Sequence, residues 1–148
     1  MKSLLVIMVI LILLSSGCVE SNDPNTTQIV GDKLETNIRI EVIHFHGINQ
    51  CYSCKMVGAY AEETVNTYFA EELESGVLVF KHVNYDLAEN EEIAKRYGAA
   101  YSSLWIGSYT EKGFSAEQDV NVWYLINDRE EYMSYLSEVI DGKLEGLE

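Results

Sequence analysis

The sequence predicts an α/β domain in which strands and helices follow one another along the chain. Residues 38–45 are apolar at alternate positions and then on both faces, which is typical of a strand in the middle of a sheet. Residues 54–73 repeat apolar side chains at helical spacing, and residues 104–118 have the pattern of two strands joined by a turn. The predicted order is strand, helix, strand, helix, hairpin of two strands and helix.

The first residues form a separate unit that predicts export. Lys2 is followed by an uninterrupted apolar run at residues 4–14. This run is too short to cross a bilayer core, which takes roughly 20 helical residues, so an export signal is the better interpretation. Small residues stand directly before Cys18 and resemble the lipobox of bacterial-type lipoproteins, in which the cysteine is acylated. We expect a signal peptide over residues 1–17, with an uncleaved signal anchor as the alternative.

The location and partners that we expect follow from this segment and from the charge of the chain. A lipid on Cys18 would anchor the protein to the membrane on its extracytoplasmic side. Residues 18–36 are polar and contain the single proline, Pro24, which indicates a flexible tether before a domain at residues 37–148. The net charge of −14 argues against nucleic acid or anionic lipid as a surface partner.

Between these ends the pattern predicts each element in turn. The first helix ends at Gly76, and its apolar positions are Val57, Tyr60, Ala61, Thr64, Val65, Tyr68, Phe69 and Leu73. Residues 77–85 are rich in β-branched and aromatic side chains and predict the second strand. Asn90 is the predicted N-cap of a short helix, and Gly98 stands just past its end. Residues 119–127 fit strand and helix equally, and residues 128–131 resemble a capping box that opens a last helix.

Two cysteines at the first strand-to-helix junction indicate the chemistry. Cys51 and Cys54 are three residues apart, a spacing that can close a small disulfide ring. The first thiol would lie near a helix N-terminus, where free amides and the helix dipole favour thiolate over thiol. If Cys18 carries a lipid, the remaining two cysteines form one pair. Outside the cytosol such a pair can rest as a disulfide.

The order of elements, with C-x-x-C at that junction, resembles the thioredoxin fold over about residues 37–141. The segments that carry the resemblance are Val42-Ile43-His44-Phe45, Cys51-Tyr52-Ser53-Cys54-Lys55 and Arg96-Tyr97-Gly98. The resemblance implies a central four-stranded mixed sheet (βαβαββα) with flanking helices. It also implies that Cys51 attacks and Cys54 resolves during exchange with protein thiol clients, with no cofactor beyond the two cysteines.

The sequence departs from the thioredoxin pattern in three places. Tyr52 and Ser53 replace the residues usual between the cysteines, and the domain has no proline where the family has its cis-proline, at Ser102 or Ser103. In the family that proline shapes the client-binding loop and shields the cysteines from metal. His44 stands where thioredoxins carry a buried acid that moves protons for the resolving cysteine. We therefore predict a catalytic role for His44, with a buried histidine bound to a backbone carbonyl as the alternative.

Three functions remain open from the sequence. The leading hypothesis is an exported, membrane-tethered thiol–disulfide oxidoreductase. The second is a copper- or zinc-handling protein, because the spacing H-x-H-x₄-C-x₂-C places His44, His46, Cys51 and Cys54 within eleven residues. In this hypothesis His46 is a candidate metal ligand, and in the first it could stabilise the thiolate. The third is a binding module whose disulfide is structural. His82, on the second strand, is predicted to be structural.

Overall fold

The computed structural model describes residues 38–147. The elements in chain order are β1 (Arg39–His46), α1 (Tyr52–Tyr68), α2 (Ala70–Ser75), β2 (Leu78–Asn84), a 3₁₀ turn (Ala88–Asn90), α3 (Glu91–Tyr97), β3 (Ser103–Thr110), β4 (Gly113–Asp119), α4 (Val122–Leu125) and α5 (Arg129–Glu145). The predicted signal peptide, the tether and Cys18 lie outside the described residues. Among the helices of residues 38–147, none is long and apolar enough to cross a membrane.

The four strands form one mixed sheet in the order β2-β1-β3-β4. β1 is parallel to β2 and antiparallel to β3, and β3 forms an antiparallel hairpin with β4. Because β1 has a neighbour on each side and helices on both faces, its residues 40–45 are all buried. The interior position that the sequence predicts for this strand, and the mixed four-stranded sheet, are confirmed.

Alternate residues of β1 face two separate apolar clusters, one on each side of the sheet. Ile40 and Val42 pack with α1 and α5 in the larger cluster, whose other fully buried members include Val57, Ala61, Val65, Leu104, Tyr132, Leu136 and Ile140. Ile43 and Phe45 point the other way and pack with α3 in the smaller cluster, with Val83, Ala94 and Tyr97. The sheet is therefore covered by helices on both faces, as the period of two in β1 requires.

Most helix ends follow the sequence signals. Asp128 caps α5, because its Oδ1 accepts a hydrogen bond from the Glu131 amide at 3.0 Å. Gly98 ends α3 in the left-handed region, with φ of 72°. Asn90 occupies the N-cap position of α3 but makes no capping hydrogen bond, because its side-chain amide donates instead to the Asn84 carbonyl at 2.9 Å.

One segment differs from the sequence prediction, and another resolves an ambiguity between strand and helix. The first helix was predicted to be continuous, but it breaks at Phe69, which leaves the helical conformation with φ −128° and ψ 36°. The Phe69 ring is buried in the larger cluster while the next residues begin the separate helix α2. The ambiguous segment after the hairpin forms the short helix α4, whose Val122 is buried in the same cluster.

A buried carboxylate on the α3 side of the sheet is fully paired. Glu41 is 3% exposed, and its Oε2 accepts a hydrogen bond of 2.8 Å from the Tyr97 hydroxyl. Its Oε1 accepts from Nε and Nη2 of Arg39 at 3.0 and 2.9 Å. Burial by itself would raise the pKa of Glu41, but the hydrogen bonds from Tyr97 and Arg39 and the Arg39 charge outweigh it and lower that pKa.

We expect Tyr97→Phe to lower the free energy of unfolding by about 1–3 kcal/mol at neutral pH, because a buried carboxylate oxygen loses its donor. The folded-state pKa of Glu41 lies below its unfolded value, so its contribution is present above the unfolded pKa and is lost as the pH falls through the folded one. The difference between wild type and variant should therefore shrink in acid. Urea unfolding at several pH values measures it.

Tyr101→Phe is the matched control, because its hydroxyl donates to Gln118 at the surface and the side chain is 58% exposed. It should change the free energy of unfolding by no more than about 0.5 kcal/mol. Equal losses in the two variants at neutral pH would contradict the role assigned to the Tyr97–Glu41 hydrogen bond.

Candidate active site

The cysteine pair lies at the start of α1, at the carboxyl end of β1. Cys51 is the N-cap of the helix in an extended conformation, and its Sγ accepts a hydrogen bond of 3.1 Å from the Cys54 amide. Cys51 and Cys54 form a disulfide with their Cα atoms 5.1 Å apart. Cys51 is exposed and Cys54 is partly buried. Of the two cysteines, Cys51 is the more exposed.

The electrostatics of this helix end favour a negative sulfur. α1 is 17 residues long, and its first turn carries no acidic side chain, although the whole chain has 24 of them. The exposed Lys55 follows Cys54 directly. Nothing in the first turn therefore opposes the partial positive charge of the helix N-terminus, which stabilises a thiolate on Cys51 when the pair is reduced.

His44 lies on β1 with its ring buried beneath α1. The residue is 2% exposed, and Nε2 has no hydrogen-bond partner in the described part of the chain. Burial, followed by the charges of His82 and His46, lowers the pKa of His44 to about 4. The Cys54 backbone acts in the opposite direction and favours the protonated ring, which places the cysteine turn of α1 beside this histidine.

Gly58 permits this packing. A Cβ atom built on Gly58 would overlap Nδ1 and Cε1 of the His44 ring. Gly58 lies one helical turn after Cys54 and on the same face of α1, so the second cysteine lies in the turn next to this contact. The residue at position 58 therefore sets the distance between α1 and β1 at the site.

The other two histidines lie on the same side of the sheet as His44. The His46 ring stacks on His44 with centroids 5.4 Å apart, because residues two apart on a strand share one face. His46 Nδ1 lies 3.0 Å from the Gly47 carbonyl and 3.1 Å from the Gln50 amide nitrogen, so contacts within the loop occupy it. His82 comes from β2, opposite His44 in the parallel register, with the two Nδ1 atoms 2.9 Å apart.

Sequence reasoning did not identify the second contact of His82, which is with Glu62. Nε2 of His82 lies 3.3 Å from Oε2 of Glu62 on α1. Cys54, Gly58 and Glu62 follow one another at intervals of four residues, so they form a single ridge of α1 above the two histidines. The four-residue spacing of this ridge is visible in the sequence. Which histidines face the ridge is decided by the register between β1 and β2, which the sequence does not show.

The loop before β3 lies at the same end of the sheet as the cysteines, because Ser103 pairs with Phe45 near the end of β1. All peptide bonds of residues 38–147 are trans. The buried Ser103 hydroxyl donates to the Tyr101 carbonyl at 2.8 Å and accepts from the Trp105 indole at 3.0 Å. Serine side-chain hydrogen bonds thus hold the loop at the place where the thioredoxin pattern has a proline.

The metal-handling hypothesis finds no geometric support in residues 38–147. In this part of the chain, no group of three or more His, Cys, Asp or Glu side chains is arranged to hold a metal ion. The His44 and His82 rings direct their Nδ1 atoms at each other rather than at a shared ligand position. The sulfurs of Cys51 and Cys54 are joined in a disulfide.

Comparison with known proteins identifies the architecture. No protein-family model matches the chain, and no curated protein matches it. Among solved structures, the chain is similar to the crystal structure of the Trx4 domain of ERdj5, with 20% sequence identity and a TM-score of 0.50. The match covers 74% of this chain and 82% of that domain. The chain has a thioredoxin-like fold. At this level of identity the likeness concerns the fold alone.

We expect Gly58→Ala to lower the free energy of unfolding by about 1–3 kcal/mol, because the added methyl group forces the His44 ring or α1 to move. Gly142→Ala in α5 is the control, since a Cβ atom there meets nothing within 4 Å. It should raise stability by up to about 1 kcal/mol through helix propensity. Urea unfolding of both variants checks this, and a Gly58→Ala protein as stable as wild type would contradict the packing described.

Proposed function

We propose that the chain is an exported, membrane-tethered thiol–disulfide oxidoreductase that acts on protein thiols through Cys51 and Cys54. One observation carries the chemical part of this proposal. On a thioredoxin-like fold, an exposed N-cap cysteine is bonded to a partly buried cysteine. A buried histidine with an unpartnered Nε2 packs against the following turn of the same helix, at Gly58. The cellular part is supported by the sequence of residues 1–18.

The exchange proceeds in two steps. In the reducing direction, the Cys51 thiolate attacks a client disulfide, forms a mixed disulfide and releases one client sulfur as a thiolate. Cys54 then attacks the Sγ of Cys51, which restores the Cys51–Cys54 disulfide and releases the second client sulfur. Because Cys54 is partly buried and follows Cys51 in the same turn, it is placed to resolve the mixed disulfide rather than to meet clients.

Cys54 must lose its proton before it can attack, and His44 is the group that we assign to this step. Its ring packs against α1 at Gly58, one helical turn after Cys54, and its Nε2 has no hydrogen-bond partner among the described residues. A base in a buried site of this kind accelerates proton transfer by about 10²–10⁴-fold in other enzymes. The sequence-based hypothesis of a catalytic His44 is retained on this basis.

Exposed apolar side chains at this end of the sheet suit contact with a protein client. Tyr52 follows Cys51 and is 72% exposed, Ile48 in the loop before it is 67% exposed, and Tyr101 on the loop before β3 is 58% exposed. These large uncharged side chains lie on two loops and the first turn of α1, in a protein of net charge −14. Exposed side chains of this kind favour apolar segments of a client polypeptide over highly charged small molecules.

We expect Cys54→Ser to accumulate mixed disulfides with client proteins through Cys51, because the second step is lost. The adducts should appear on non-reducing gels and disappear after treatment with dithiothreitol. Cys51→Ser is the control, and it should capture far fewer clients because Cys54 is less accessible. Both variants also carry Cys18→Ser, so that any adduct must form through Cys51 or Cys54. Absence of adducts with Cys54→Ser, or equal capture by both variants, would instead indicate a structural disulfide.

A further inference from the structure

A continuous path of hydrogen-bonding side chains runs from the buried His44 to the surface. His44 Nδ1 lies 2.9 Å from His82 Nδ1, and His82 Nε2 lies 3.3 Å from a carboxylate oxygen of Glu62. Exposure rises along the path: His44 is 2% exposed, and the side chains of His82 and Glu62 are 37% and 53% exposed. The path therefore connects the interior beneath the cysteine turn with solvent.

The outer end of the path determines where the protons lie. A carboxylate of Glu62 can only accept, so Nε2 of His82 must carry a hydrogen. When His82 is neutral its Nδ1 is then a bare acceptor, and the hydrogen between the two rings belongs to Nδ1 of His44. A neutral His44 with its hydrogen on Nδ1 has a free electron pair on Nε2. This is the buried nitrogen that lacks a partner in residues 38–147.

We propose that His44, His82 and Glu62 form a proton relay that carries the Cys54 proton to the protein surface as Cys54 attacks the mixed disulfide. This inference rests on the proposed exchange function. His82 and Glu62 act through His44 and are positioning residues, while His44 receives the proton from the reacting thiol.

The step balances without any further reactant. The Cys54 thiol gives its proton to Nε2 of His44, and the Nδ1 proton of His44 passes to Nδ1 of His82. The electron pair left on the Cys54 sulfur forms the bond to the Cys51 sulfur. The bond between Cys51 and the client breaks, and its electron pair leaves with the client sulfur as a thiolate. The pair of cysteines is thereby oxidised and the client is reduced.

The relay removes a difficulty that a lone histidine would face. Burial and the nearby histidines lower the pKa of His44 to about 4, so a positive charge retained on this ring is disfavoured at neutral pH. Transfer of the Nδ1 proton moves the charge to His82, which is partly exposed and lies beside the Glu62 carboxylate. After the transfer His44 is again neutral, with its hydrogen on Nε2.

The surroundings of the two rings contain few other groups that titrate. His46 stacks on His44 from the same strand, and its ring centroid is 6.3 Å from that of His82. α1 contributes Cys54 and Glu62. Phe80 packs edge-on against His82 at 4.9 Å, and Leu104 on β3 lies opposite His44 in the sheet register, and both are apolar. A pH dependence of the resolving step therefore involves the three histidines, Glu62 and Cys54.

The test follows the two steps separately in the full chain carrying Cys18→Ser. The reduced protein is mixed with dithionitrobenzoate, and the release of coloured thionitrobenzoate is recorded by stopped flow. Attack by Cys51 releases the first equivalent, and attack by Cys54 on the resulting mixed disulfide releases the second. Only the second phase depends on the proton of Cys54.

Two variants interrupt the relay and one serves as the matched control. His82→Asn keeps an acceptor facing His44 but cannot pass a proton on, and Glu62→Gln keeps an acceptor for His82 without the charge. Glu63→Gln removes the neighbouring carboxylate, which pairs with Arg129 at 2.7 Å instead. At pH 7 we expect His82→Asn to slow the second phase by about tenfold or more and Glu62→Gln by about threefold. Glu63→Gln should leave both phases unchanged.

The pH profile separates a relay from a structural effect. At pH values well above the ordinary pKa of a thiol, about 8.5, a thiol ionises without a base, so the rates of wild type and His82→Asn should converge. A deficit of equal size at every pH, or no deficit at pH 7, would overturn the relay while leaving the exchange function intact. If wild type shows no second phase, the exchange function and the relay are both overturned. Should His82→Asn not fold, as the absence of a cooperative urea transition would reveal, the surface variant Glu62→Gln decides by the same criteria.

Discussion

The contact between the His44 ring and the helix backbone at Gly58 is the constraint on which the site depends. Because position 58 has no side chain, α1 approaches β1 closely enough for the turn with Cys54 to rest on a buried histidine. The larger apolar cluster fixes this approach, since Val57 and Ala61 on either side of Gly58 are fully buried against the sheet. Packing in the core thus sets the position of the second cysteine relative to its candidate base.

The buried polar groups on the two faces of the sheet differ in whether their hydrogen bonds are satisfied. On the α3 face, Glu41 has hydrogen bonds to both carboxylate oxygens, and such a satisfied network contributes to stability and to a single packed arrangement. On the α1 face, His44 Nε2 is the buried side-chain nitrogen or oxygen without a partner in residues 38–147. Buried polar atoms are nearly always paired, so this unpaired nitrogen is the basis of the proton-transfer role that we propose for His44.

The sequence was sufficient for most of the fold because its signals are local. The period of two in β1, the helical period after Cys54 and the Asp128 cap each depend on neighbours in the chain, and the structure confirms them. The break at Phe69 was not predictable, because the ring leaves the helix to fill a core that distant elements build.

The site was predictable only in part for the same reason. Cys51 and Cys54 stand out by their spacing, and His44 by its place on β1. The partnership of His44 with His82 and Glu62 requires the register between two parallel strands and the rotation of α1 above them. Neither the strand register nor the rotation of the helix is encoded within a few residues. The residues around His82 therefore look the same in the sequence whether His82 is structural or part of a site.

The most direct measurement is the reduction potential of the Cys51–Cys54 pair, determined on the full chain with Cys18→Ser by equilibration with thiol–disulfide buffers. An exchange-active pair should give a reversible two-electron couple between about −120 and −270 mV, the range of known thiol–disulfide exchange proteins. A value below about −300 mV is that of a stable structural disulfide and would contradict a catalytic role for the pair.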